Sequence, residues 1–185
     1  MIAIECFKKF RLIDIAAIFI LSVVWYLISL AVNLIPDPSQ VLPPLAMVIF
    51  MTFVVFLIGK AGSAVLFYFF IALISFHVPL LGIMGVNKLI TLVVAGIVFE
   101  LVFLILKIEL KNIPLDVVIG AAFSNAVIPI VASLLVSFVV VRQLLFDFLN
   151  LVLLYFIIGI AGSVISFLIW YRLKTTKMMI RFEYM

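Results

Sequence analysis

Thr91-Leu-Val-Val-Ala-Gly-Ile-Val-Phe-Glu-Leu-Val-Phe-Leu-Ile-Leu106 is apolar apart from the Thr91 hydroxyl and the Glu100 carboxyl group. A run of this kind is stable as a helix in lipid, where every backbone polar group must bond within the segment. Glu100 is the anomaly. A central acidic side chain in a membrane helix costs roughly 2.5–3.5 kcal/mol on insertion scales. It must therefore find a partner, take up a proton or face a polar cavity.

The rest of the chain agrees with a bilayer as solvent. Of 185 residues, 69% are hydrophobic and 11% charged, and the mean hydropathy is +1.56. That polar complement is too small to cover a water-soluble core. A helical crossing takes about 20 apolar residues. The chain thus predicts a single all-α integral membrane domain over residues 1–185, with six transmembrane helices and no sizeable soluble part.

The predicted spans are 13–35, 42–58, 62–76, 89–106, 114–141 and 144–171. Pro36-Asp-Pro-Ser-Gln40 separates the first two, and Pro43-Pro44 suits a first helical turn. Gly59-Lys-Ala-Gly62 makes a tight link. Residues 77–88, with Pro79, Gly82 and Gly85, form an irregular connector. Lys107-Ile-Glu-Leu-Lys-Asn112 is a polar loop. The start of the chain has the basic flank of a signal peptide. The long apolar stretch that follows lacks a small-x-small cleavage site, so it reads as a retained first helix.

Six spans put both termini on one side. That side collects Lys8, Lys9, Arg11, Lys60, Lys107, Lys111, Arg172, Lys174, Lys177 and Arg181, and the other receives only Lys88 and Arg142. The bias predicts cytoplasmic termini in a multi-pass protein of the cell membrane. It also accounts for the net charge of +4 without a nucleic-acid partner. Cys6, the one cysteine, cannot form an internal disulfide. It reads as an incidental thiol, with palmitoylation as the alternative.

One internal echo pairs Phe56-Leu-Ile-Gly-Lys-Ala-Gly-Ser63 with Phe156-Ile-Ile-Gly-Ile-Ala-Gly-Ser163. The copies lie at different depths, which favours coincident small-residue packing over an inverted repeat. In the last span, Gly159, Gly162, Ser163 and Ser166 are spaced for close approach of helix backbones.

Several chemistries lack their residues. His77 is the only histidine, so zinc-protease and multi-histidine metal sites are excluded. No Gly-x-Ser-x-Gly and no phosphate-binding Gly-x-x-x-x-Gly-Lys-Ser/Thr occurs. No carboxylate pair is placed for glycosidase-like work. The expectation is a non-enzyme without a cofactor or metal.

The remaining polar residues are few. Glu100 lies about 9 Å from the cytoplasmic end of its span, and Asn125 about 16 Å into the next one. Pro129 has no N–H, so the Asn125 carbonyl loses its helical donor. The two residues are candidates for one pocket; helix packing is the competing reading for each. Asn33, the 36–40 turn, His77, Asn87, Lys88 and Arg142 form an outer group, either a mouth for a ligand or ordinary interfacial loops. Trp25 and Tyr26 are deep in the first span, where they offer a ring-stacking surface or core packing. Asp14 and Asp116, near helix ends, read as solvated.

Four stretches resemble one family. They are Arg11-Leu-Ile-Asp-Ile-Ala-Ala17 with its proline-bearing external turn, Gly59-Lys-Ala-Gly-Ser-Ala-Val65, Gly96-Ile-Val-Phe-Glu-Leu-Val-Phe103, and the small-residue last span running into Tyr171-Arg-Leu-Lys174. Together they look like the substrate-binding (S) components of energy-coupling factor vitamin transporters, and most like the thiamine or hydroxymethylpyrimidine subgroup. The resemblance implies a membrane subunit that captures a vitamin or precursor from outside. It implies as partners a transmembrane coupling subunit and two ABC ATPases, which would supply the missing nucleotide chemistry. One departure is that Ala16 and Ala17 are followed four residues on by Ile20 and Leu21, where the family often has alanine.

On this resemblance Glu100 is the expected ligand acceptor, supported by Asn125, with Asn33, Trp25, Tyr26, His77, Asn87 and Lys88 as further contacts. A buried carboxyl group can accept from an exocyclic amine or, when protonated, donate to a ring nitrogen. Two other classes stay open: a structural or scaffold membrane protein, and a self-contained solute or ion transporter using Glu100.

Overall fold

The computed structural model describes residues 9–33, 41–79, 81, 83–106, 109–110, 113–136 and 144–174. Cys6, the 36–40 turn, Arg142 and the end of the chain lie outside this set. Six helices account for nearly all of it: α1 (Leu12–Asn33), α2 (Leu42–Ile58), α3 (Ser63–Ile74), α4 (Gly85–Leu106), α5 (Leu115–Val136) and α6 (Leu144–Leu173). A two-residue antiparallel bridge, β1 (Glu109–Leu110) with β2 (Ile113–Pro114), closes the link between α4 and α5. Of the polar loop expected at 107–112, Glu109 and Leu110 are thus part of a strand pair.

The chain has the build of a membrane protein. α1, α4, α5 and α6 each contain a segment long and apolar enough to cross a bilayer. α2 and α3 are shorter, at 17 and 12 residues. At 1.5 Å per residue α3 is only about 18 Å long, against about 30 Å of hydrocarbon. At least one of its ends must therefore be satisfied away from bulk water.

Local chemistry explains these boundaries. Pro43 and Pro44 occupy the first turn of α2, where a missing N–H costs nothing. Gly59 ends α2 in the left-handed region at φ 61°, its N–H returning to the Val55 carbonyl at 2.9 Å. Nothing crowds the Cβ position of Gly59, so the backbone angle alone calls for glycine. Gly62, at φ 91°, then redirects the chain into α3. Gly159, the counterpart of Gly59 in the sequence echo, lies inside α6, so the two copies play different parts.

The helices close a ring in the order α1, α3, α4, α5, α6, α2, and α2 also touches α3 and α5. Neighbours in sequence run antiparallel. Trp25 meets Pro43, Lys88 meets Ser75, Ser124 meets Ala95 and Asn125 meets Tyr155. α2 and α6 run parallel, with Gly162 against Val48 and Trp170 against Phe56. Met47, Met51, Phe67, Tyr68, Ile71, Leu92 and Phe99 fill the core. α1 and α6 turn residues such as Ile20, Leu27, Leu153 and Leu168 outward.

Glycine sets the tightest seams. A Cβ at Gly159 would lie 2.6 Å from Ala122 Cα, and one at Gly96 would lie 2.8 Å from Val65 Cα. These contacts are with backbone, so the helices touch where the side chain is missing.

Candidate functional site

Glu100 is buried and points at the start of α3. Its Oε1 accepts the Ala64 N–H at 3.1 Å, and the Gly62 N–H is directed at the same carboxyl group. The first N–H groups of a helix have no partner within it, and the positive end of the helix dipole favours a carboxylate. Gly62 has no side chain to cap with, so Glu100 does this from the neighbouring helix.

Lys88 performs the mirror role. It lies in the first turn of α4, which begins at Gly85 rather than at residue 89, and its side chain is buried rather than part of an outer loop. Its ammonium donates to the Ser75 carbonyl at 2.7 Å, to Ser75 Oγ at 3.3 Å and to the Val78 carbonyl. Those carbonyls belong to the C-terminal end of α3 and the turn after it. A cation is favourable there for the same dipolar reason.

Asn125 lies at the middle of α5 and is fully buried. Its Nδ2 donates to the Tyr155 carbonyl of α6 at 2.6 Å. Its Oδ1 has no hydrogen-bond partner among the described residues. An unsatisfied buried acceptor of this kind costs about 1–3 kcal/mol. Beside it, Ser124 donates to the Ala95 carbonyl at 2.7 Å and stands 3.2 Å from the Tyr68 hydroxyl.

The register separates the two candidates expected to share a pocket. Gly120 packs on Phe99 and Ser124 on Ala95, so Asn125 is level with residue 94 of α4. That is six residues, about 9 Å, from Glu100 along the axis. Glu100 faces α3, whereas Asn125 faces α6.

The outer candidates divide as well. His77 and Asn87 are exposed, and His77 makes an edge contact with Phe76 at 5.2 Å between ring centres. Asn33 ends α1, and its side chain lies outside the described set. Trp25 is fully buried, with its indole N–H on the Pro43 carbonyl at 3.1 Å. Tyr26 packs against the core from a half-buried position.

Two acids expected in solvent are buried instead. Asp14 pairs with Lys60 at 2.5 Å and accepts the Arg11 N–H at 2.9 Å. Lys60 also donates to the Lys9 carbonyl at 3.1 Å. This ties the start of α1 to the α2–α3 link and completes a half capping box, with the acid at the third helical position. Asp116 accepts the Val117 N–H at 2.8 Å. Each acid thus serves a backbone N–H at the start of its own helix, and Asp14 also holds the Lys60 ammonium.

Among the described residues no group of three or more His, Cys, Asp or Glu side chains could hold a metal ion. No protein family, curated protein or solved structure matches this chain.

Proposed function

We propose that this chain is the membrane-embedded solute-binding subunit of an importer of the energy-coupling factor type. In this reading it crosses the cell membrane six times with both termini in the cytoplasm. It takes a vitamin-like solute from outside and delivers it with a coupling subunit and two ABC ATPases.

The observation that carries the reading is Asn125, a buried amide with an oxygen left unsatisfied at mid-depth in the bundle. A polar group kept there against its desolvation cost suits a ligand contact. The resemblance in Gly59–Val65 and Gly96–Phe103 supports the family. The alternation of helix direction supports six crossings, since it leaves Arg11, Lys60, Arg172 and Lys174 at one end of the bundle. Glu100 and Lys88 then serve by fixing α3, and solute contact falls to α5.

A second reading is a structural or scaffold membrane protein. It is favoured by the commitment of both intramembrane charges, Lys88 and Glu100, to helix ends. Gentle solubilisation followed by mass spectrometry of co-purifying proteins separates the two. The importer reading expects a polytopic coupling subunit with paired ATPases. Neither would accompany a scaffold protein, and their absence from a stable, folded preparation would sink the importer reading.

A further inference from the structure

The protons of the central hydrogen-bond chain can be traced. The Ala95 carbonyl only accepts, so Ser124, 2.7 Å away, gives its single proton there. The Tyr68 hydroxyl, 3.2 Å from Ser124 Oγ, must then donate to it. Both hydroxyl protons are committed.

Asn125 is different. The Tyr155 carbonyl also only accepts, so the amide NH2 must face it and Oδ1 must face the other way. Oδ1 meets no donor among the described residues. The main-chain carbonyl of the same residue has lost its helical donor, because the residue four positions on is Pro129. One buried residue thus carries a side-chain oxygen that meets no donor among the described residues and a carbonyl whose usual N–H four positions on is absent. Its neighbours on α5, Ala121, Ala122, Ala126 and Ile128, are buried and apolar, so no countercharge stands beside it on that helix.

We propose that Asn125 is the solute-contacting residue of the bundle, and that the group it receives is an uncharged N–H or O–H donor. This rests on the solute-binding reading above and names the chemistry of that site. Two acceptor oxygens would repel an anion or an acceptor-only group. An ammonium would find no countercharge beside it on α5. A buried water is the same chemistry from another source.

The test compares wild type, Asn125→Ala and Pro129→Ala, each purified from membranes in mild detergent. Released small molecules are identified by mass spectrometry, and each protein's melting temperature is recorded. Pro129→Ala restores an N–H for the Asn125 carbonyl and keeps the Asn125 side chain. It carries the test if Asn125→Ala does not fold. The expected result is a compound with an uncharged N–H or O–H donor on wild type, retained about tenfold less by Asn125→Ala. Pro129→Ala should also retain less of it without melting lower, which a purely structural proline would not produce. Equal retention by all three proteins, or a compound with no donor, overturns the inference and leaves the solute-binding reading standing. No compound on wild type overturns both and assigns the site to water.

Discussion

Lys88 and Glu100 stand twelve residues apart on α4 and hold opposite ends of α3, itself a twelve-residue helix. The spacing matches because the two helices run antiparallel and rise equally per residue. The ammonium meets the carbonyl end and the carboxyl group meets the N–H end, as the helix dipole requires. A helix too short to reach water at both ends is completed by its neighbour.

This bracket predicts how the two residues respond to substitution. Glu100→Ala leaves the Ala64 N–H buried without an acceptor and should destabilise the protein by about 1–3 kcal/mol. Lys88→Met strands the Ser75 and Val78 carbonyls at a similar cost, about 1–3 kcal/mol. Glu100→Gln keeps a side-chain oxygen for Ala64, so it should lie much closer to wild type. Melting in detergent, followed by circular dichroism, reads all three. An undisturbed melt for both Glu100→Ala and Lys88→Met would remove the capping role.

Much of this architecture was legible in the sequence, and the exceptions turn on partners distant along the chain. The limits of α2 follow from Pro43-Pro44 and Gly59, whose backbone chemistry is local. The anomaly of Glu100 was equally plain, but its partner was not. That partner is a backbone N–H thirty-six positions away, and a main-chain group leaves no trace in residue type. Lys88 read as a loop residue because lysines near membrane helix ends usually reach water. Only the position of the end of α3 turns it inward. Asp14 is drawn inward by Lys60, forty-six positions away, a pairing that residue type alone does not announce. The Asn125 carbonyl, by contrast, follows from Pro129 alone, four residues away.

The glycine seams predict an order of sensitivity. At Gly159 an added methyl meets Ala122 Cα at 2.6 Å and the Ala121 carbonyl oxygen at 2.7 Å, so α5 and α6 must separate. At Gly162 it meets the Val48 side chain at 2.8 Å, which can adjust more readily than backbone. Gly159→Ala should therefore cost more than Gly162→Ala, within the roughly 1–3 kcal/mol typical of overpacking. Gly96→Ala, against Val65 Cα at 2.8 Å, belongs with the harsher case. Unfolding midpoints measured side by side would show the ranking, and a larger loss at Gly162 than at Gly159 would contradict it.

Trp25 offers a check on ring stacking. Its ring is fully enclosed and its N–H is bound to Pro43, so the indole joins α1 to the start of α2. Trp25→Phe should lower the melting temperature through the lost hydrogen bond, about 1 kcal/mol, and through the reduced volume. It should leave the amount of any co-purifying solute unchanged. A stable Trp25→Phe protein that no longer retains the solute would return the residue to the binding surface.

The Asp14–Lys60 pair sets a different test, because a buried pair and its separate halves have different energies. Removing Lys60 alone, as Lys60→Met, leaves Asp14 buried with only the Arg11 N–H beside it. Breaking a buried pair in this way costs about 3–5 kcal/mol, much of it from the stranded charge. Removing both, as Asp14→Leu with Lys60→Met, strands neither, so the double variant should be less destabilised than the sum of the singles. The expected coupling is about 0.5–3 kcal/mol. Asp14→Asn keeps an oxygen for Arg11 or Lys60 but leaves the Lys60 ammonium without its countercharge, so it should fall between wild type and Asp14→Leu. A thermodynamic cycle over the four proteins measures the coupling directly. Strict additivity would mean that the contact contributes nothing, and that the Lys9 carbonyl alone holds Lys60 against the start of α1.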